Sequence, residues 1–94
     1  MNVGSLFNLS GRRALVTGGS SGIGEAMALA LGAAGARVLL VSRREAELSA
    51  AAQRLRDASV DATWLAADLT DVTALRAAAH NAEQHLGGID ILIN

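Results

Sequence analysis

Ala14-Leu15-Val16-Thr17-Gly18-Gly19-Ser20-Ser21-Gly22-Ile23-Gly24 joins a short apolar run to an alanine-rich one through a glycine-rich turn. The first run is continuously apolar, as a strand buried on both faces is. The residues after the turn carry apolar groups at helical spacing. A strand–turn–helix of this kind brings backbone N–H groups and the positive end of a helix dipole to one point, which suits a phosphate. Glycine permits unusual backbone angles there and leaves room for a ligand to approach the main chain.

Three motifs compete for this turn. A P-loop needs a lysine after its second glycine, but counting from Gly19 to Gly24 the next residue is Glu25. A glutamate repels a triphosphate, so that reading fails. Gly18-x-Ser20-x-Gly22 fits the nucleophile elbow of serine hydrolases. Its histidine would have to be His80 or His85, both within one predicted helix far along the chain. The third reading, Thr17-Gly18-x-x-x-Gly22-x-Gly24, is a dinucleotide loop spaced more widely than G-x-G-x-x-G. On these residues the chain resembles the short-chain dehydrogenase/reductase family, whose loop is Thr-Gly-x-x-x-Gly-x-Gly. The resemblance implies a Rossmann-type fold and a nicotinamide dinucleotide lying against Gly18, Ser20, Ser21, Gly22, Ile23 and Gly24.

Outward from the turn, strands and helices alternate. Arg13 to Thr17 is the first predicted strand. A helix follows from Gly22 to about Ala34, with Ile23, Met27, Ala30 and Leu31 as its apolar face and Gly35 as its stop. Arg37 to Ser42 is the second strand. Ser42-x-x-Glu45 reads as a capping box, ahead of a helix with Leu48, Ala51, Ala52 and Leu55 on one side. Asp61 to about Ala67, with Trp64 packing in or against it, is the third strand. Thr70 is placed to cap a third helix carrying Val72, Leu75, Ala79, Ala82 and Leu86, which Gly87-Gly88 ends. Ile89 to Ile93 is the fourth strand. Ahead of all this, Leu6, Phe7 and Leu9 form a lead-in that covers one end of the sheet.

The βαβαβαβ order predicts an α/β fold with a parallel sheet, and the Rossmann-type fold that the resemblance implies makes it doubly wound with strand order 3-2-1-4. Right-handed crossovers then put two helices on one face and one on the other. The fourth strand is too apolar for a protected edge. Residues 1–94 are therefore expected to be the N-terminal part of a single dinucleotide-binding domain, an incomplete fold with no second domain.

After the second strand comes Ser42-Arg43-Arg44, where a dinucleotide fold selective for NAD places an acid on the ribose. Arginine presents a planar fork of donors suited to a phosphate. Two cations are poorly placed at a helix N-terminus, which favours a ligand role over a merely solvated one. The resemblance links a basic residue at Arg43 to a preference for NADP over NAD. It also places Asp68-Leu69 at the adenine ring, and it makes Asn94 the first residue of an Asn-Asn-Ala-Gly segment beside the cofactor ribose. An aspartate at 68 can equally contribute to the cap of the third helix.

His80 and His85 are five residues apart, roughly 500° around a helix, so they diverge and do not suggest a metal pair. Glu45, Glu47, Asp57, Asp61 and Glu83 are scattered on polar faces. A net charge of −1 gives no nucleic-acid footprint, and no apolar run reaches the ~20 residues of a bilayer span. The absence of cysteine excludes disulfides and thiolate chemistry. With no basic and apolar leader visible, a cytoplasmic setting is expected.

The family resemblance implies an oxidoreductase that moves a hydride between NADP(H) and an alcohol or ketone, working as a homo-oligomer. Its chemistry uses a serine and a Tyr-x-x-x-Lys pair, and these 94 residues hold neither tyrosine nor lysine. By themselves they are expected to be inactive. The alternative is a non-catalytic nucleotide-binding or assembly module whose sheet a partner chain completes.

Overall fold

Ala14-Leu15-Val16 and Val38-Leu39-Leu40-Val41 hold no polar side chain, so each can be covered on both sides. In the computed structural model, which describes residues 8–68 and 70–93, they form the two central strands. The elements run β1 (Arg13–Thr17), α1 (Gly22–Ala33), β2 (Arg37–Ser42), α2 (Glu45–Asp57), β3 (Ala62–Ala66), α3 (Val72–Leu86) and β4 (Ile91–Ile93). All pairings are parallel, in the order β3-β2-β1-β4, with Leu15 opposite both Leu39 and Leu92 and Leu40 opposite Trp64. The expected fold class and strand order are borne out.

Successive strand residues face opposite sides, so each central strand feeds two cores. Val16, Val38 and Leu40 pack with Ala28 of α1 and with Leu48, Ala51, Ala52 and Leu55 of α2. Leu15, Leu39 and Val41 pack on the other side with Ala78, Ala82 and Leu86 of α3. The chain steps outward from β1 to β3 and then returns across the sheet to β4. With crossovers of one hand, that reversal moves α3 to the opposite face.

The face expected for α2 is the one observed, but two others are corrected. α1 buries Gly24 and Ala28, with Leu31 partly packed, whereas Ile23 and Met27 are exposed. Glycine and alanine let this helix lie close to the turn it follows, and larger residues do not fit on that side. On α3, Val72 and Ala79 are exposed and Ala78 is buried, so the inward row is 78, 82 and 86. The side chain of Leu75 lies outside the described residues, as do Leu6 and Phe7. Leu9 is half-buried and its N–H donates to the Ala34 carbonyl at 2.7 Å.

Two caps also differ from expectation. The N-cap of α2 is Arg44, with no side-chain bond, while the Ser42 hydroxyl accepts from the Arg44 N–H at 3.2 Å. Ser42 therefore closes a turn before the helix instead of forming a capping box with Glu45. The α3 cap is Asp71, whose carboxylate accepts from the Thr73 N–H at 2.8 Å. Thr70 instead donates to Asp68. In both cases a short polar side chain bonds two residues ahead, a local alternative that competes with the helix cap.

Candidate functional site

The carboxyl ends of β1, β2 and β3 meet at a crevice, the place where open α/β sheets take ligands. Gly18 follows β1 with φ +68, a left-handed conformation that favours glycine. Its N–H donates to the Val41 carbonyl at 2.8 Å, tying the turn to β2. Its carbonyl accepts from both the Ser21 N–H (3.0 Å) and the Ser21 hydroxyl (2.8 Å). The Ser21 hydroxyl in turn accepts from the Gly24 N–H at 3.0 Å and caps α1.

The motif glycines have different physical reasons. A Cβ on Gly24 would lie 2.2 Å from the Gly18 carbonyl oxygen, so this glycine lets α1 pack against its own turn. A Cβ on Gly22 would meet nothing within 4 Å. The protein does not need the space in front of Gly22, and a ligand can occupy it. Gly22 and Ile23 open α1, where the first N–H groups lack intrahelical partners. Gly24 and Glu25 find theirs at Ser21. The remaining first-turn N–H groups point out along the helix axis, at the positive end of the helix dipole. Ile23, 82% exposed, has no part in the core.

Two lobes of the crevice, about 310 and 230 Å³, share Gly18, Ser42 and Arg43. The first is also bounded by Ser20, Arg44 and Glu47, and the second by Ala67, Asp68 and Thr70. Ser20 and Ser42 place their hydroxyl oxygens 3.0 Å apart, joining the glycine turn to the end of β2. Arg44 donates to Glu47 at 3.4 Å. Among the described residues, no carboxylate lies within ion-pair range of Arg43, which is exposed and borders both lobes. Asp68 accepts from the Thr70 hydroxyl at 2.7 Å and the Thr70 N–H at 3.0 Å, both through Oδ1. Those two bonds, with a smaller contribution from the Arg43 charge, hold its carboxyl below the ordinary value. Asp68 is therefore an anion with Oδ2 left to accept from a ligand.

The fold thus gathers Gly18, Ser20, Ser21, Gly22, Ile23, Gly24, Ser42, Arg43, Arg44 and Asp68 around one end of the sheet. Leu69 and Asn94 lie outside the described residues. Two contributors are not assigned to the site by the sequence reading. Glu47 walls the first lobe, and its only sequence signal is the spacing of three from Arg44. Thr17 donates its hydroxyl to the Ile93 carbonyl at 3.1 Å, fixing the end of β4 beside the turn. The hydrolase reading finds no support, since Ser20 pairs with Ser42 rather than with a histidine and His80 is exposed on α3. The side chain of His85 lies outside the described residues. Among the described residues no His, Cys, Asp or Glu cluster fits a metal.

The open cradle at Gly22, the free N–H groups beside it and the unpaired Arg43 all suit a ligand carrying phosphates. Comparison with known proteins agrees. Residues 12–94 match the family model described as short chain dehydrogenase. The chain belongs to the short-chain dehydrogenase family. It is 44% identical over 87 residues to a fatty acyl-CoA reductase of Mycobacterium tuberculosis, covering 93% of this chain and 30% of that protein. It is 43% identical to galactitol 2-dehydrogenase (L-tagatose-forming) of Cereibacter sphaeroides, over 100% of this chain and 36% of the relative. A metagenomic short-chain oxidoreductase solved in complex with NADP superimposes with a TM-score of 0.83 at 40% identity, covering 88% of this chain and 38% of that one. The chain thus spans about a third of the length of the relatives it matches. No helix among the described residues is long and apolar enough to cross a membrane.

Proposed function

We propose that residues 1–94 are the N-terminal part of one dinucleotide-binding domain, and that this part binds NADP(H) for an oxidoreductase acting on an alcohol or ketone. The observation that carries the preference for NADP is Arg43, which among the described residues has no carboxylate partner, at the carboxyl end of β2. An acid at that point would repel a 2′-phosphate, whereas a guanidinium can meet it with two donors. Arg44 is paired with Glu47 and contributes less. Ser20 and Ser42 offer hydroxyls beside Arg43, and the Asp68 carboxylate can accept from an exocyclic amine of the adenine. The first N–H groups of α1, with the open space at Gly22, receive the pyrophosphate.

The nicotinamide supplies the hydride chemistry when it is bound. These 94 residues orient and hold the adenosine and phosphate half. With no tyrosine or lysine among them, they are expected to bind cofactor without turnover.

Calorimetric titration with NADPH and NADH tests the reading, with NADPH expected to bind more tightly. Arg43→Ala should weaken NADPH by roughly tenfold or more, since a hydrogen bond to a charged group contributes about 1.5–3 kcal/mol. NADH should change by less than about twofold. Equal losses for the two nucleotides would refute the assignment of Arg43 to the 2′-phosphate.

A further inference from the structure

Glu25 stands in the first turn of α1, three residues beyond Gly22, where its charge opposes the anion that the same helix end is built to receive. The Cα–Cβ bond of a helical residue tilts toward the N-terminus of its helix, and Glu25 is the acidic residue of that first turn. It is not left free. Arg54, on the neighbouring helix α2, donates Nε to Glu25 Oε2 at 2.8 Å and a terminal nitrogen to Oε1 at 2.5 Å. Both carboxylate oxygens are engaged by one planar fork, the strongest arrangement open to a carboxylate and an arginine. The Glu25 side chain is only 25% exposed, so the pair is partly shielded from solvent. Arg44 pairs with Glu47, Arg37 with Asp61 and Arg13 with Asp90. Among the described residues Arg54 is therefore the cation that answers Glu25.

We propose that Arg54 is a positioning residue for the cofactor. By gripping Glu25 it masks a carboxylate at the phosphate-binding end of α1 and fixes that helix end against α2. The inference rests on the reading of the crevice as a dinucleotide site. It differs from the role of Arg43 in one respect that can be measured. Arg43 discriminates between NADPH and NADH, whereas Arg54 acts on the pyrophosphate that both nucleotides carry.

The test is a double-mutant cycle read by calorimetric titration with NADPH and with NADH, with melting curves for every variant. Arg54→Ala should weaken both nucleotides by the same factor, roughly three- to tenfold, the effect of one unmasked charge through partly screened space. Adding Glu25→Gln to Arg54→Ala should restore affinity to within about twofold of the wild type, although the inter-helix pair is still missing. Arg54→Lys, which keeps the charge but not the fork, should fall between. Glu25→Gln alone needs no loss of packing volume and should bind both nucleotides as well as the wild type or better. Three outcomes would overturn the inference: wild-type affinity in Arg54→Ala, a double variant as weak as Arg54→Ala, or weakened binding in Glu25→Gln. A wild-type chain that binds neither nucleotide would instead overturn the dinucleotide reading beneath it.

Discussion

Arg13 and Arg43 stand at opposite ends of the same parallel sheet, one opening β1 and the other following β2. Arg13 donates Nε to Asp90 Oδ2 at 2.9 Å and a terminal nitrogen to the Gly87 carbonyl at 2.5 Å. The Arg13 N–H reaches the same Asp90 oxygen at 2.9 Å, and the Asp90 N–H returns to the Arg13 carbonyl at 2.8 Å. The Arg13 guanidinium and the Asp90 carboxylate are thus satisfied within the chain, and their contacts hold β4 against β1. At the other end, among the described residues, Arg43 has no such partner, Ser20 and Ser42 pair with each other and with a backbone N–H, and a Cβ on Gly22 would meet nothing within 4 Å. The saturated Arg13–Asp90 pair holds the sheet together at one end. Unsaturated polar groups mark the end that receives a ligand.

Three substitutions sharpen this contrast. Gly24→Ala has the largest expected effect, because the new methyl would meet the Gly18 carbonyl at 2.2 Å and backbone would have to move. A loss of more than about 3 kcal/mol is expected from overpacking against main chain, read by chemical denaturation. Gly22→Ala, two residues earlier, should leave stability unchanged or raise it by up to about 1 kcal/mol through helix propensity. It should weaken NADPH and NADH alike by roughly tenfold, because the methyl fills the cradle. Unchanged affinity there would move the phosphates away from Gly22. If Gly22→Ala instead unfolds the chain, the division between structural and ligand glycines fails.

The third and smallest effect belongs to the opposite end of the sheet. Asp90→Asn should lower the melting temperature at neutral pH by a few degrees and leave NADPH affinity as it is. Hydrogen bonds from the Arg13 side chain and N–H, and the Arg13 charge, hold the Asp90 carboxyl below its ordinary value of 3.8. A carboxyl whose pKa is depressed by folding stabilises the fold above its unfolded pKa, and that stability is lost as pH falls through the folded value. Wild-type stability should therefore decline as the solution is acidified below about 4, and Asp90→Asn should decline less steeply. Parallel acid-denaturation curves would show that the Arg13–Asp90 pair contributes nothing.

Much of the fold could be read from periodicity, because the central strands are continuously apolar and the helices are bounded by glycine. Gly35 (φ +108) and Gly87 (φ +80) adopt the positive angles expected of such stops. The faces of α1 and α3 were harder to place. On α1 the larger apolar residues, Ile23 and Met27, point outward while Gly24 and Ala28 go in. Hydrophobicity ranks the larger residues higher, but the close approach of the helix to the Gly18 turn excludes them. The caps at Ser42 and Thr70 were misplaced for a related reason, since serine, threonine and aspartate satisfy a helix start and a preceding turn equally well.

The candidate site divides along the same line. Local order along the chain was enough to identify the glycine turn, the arginines after β2 and the aspartate after β3, because each element ends where its apolar pattern ends. That these three segments share one crevice follows from parallel pairing, which aligns all the strand ends on one side. Sequence alone determined the α/β class, the strand order and the residue types offered to a phosphate. Only the tertiary structure decided which charges remain available. Glu25 with Arg54 and Arg13 with Asp90 are matched across 29 and 77 residues, and such matches depend on distances in space that spacing along the chain does not encode.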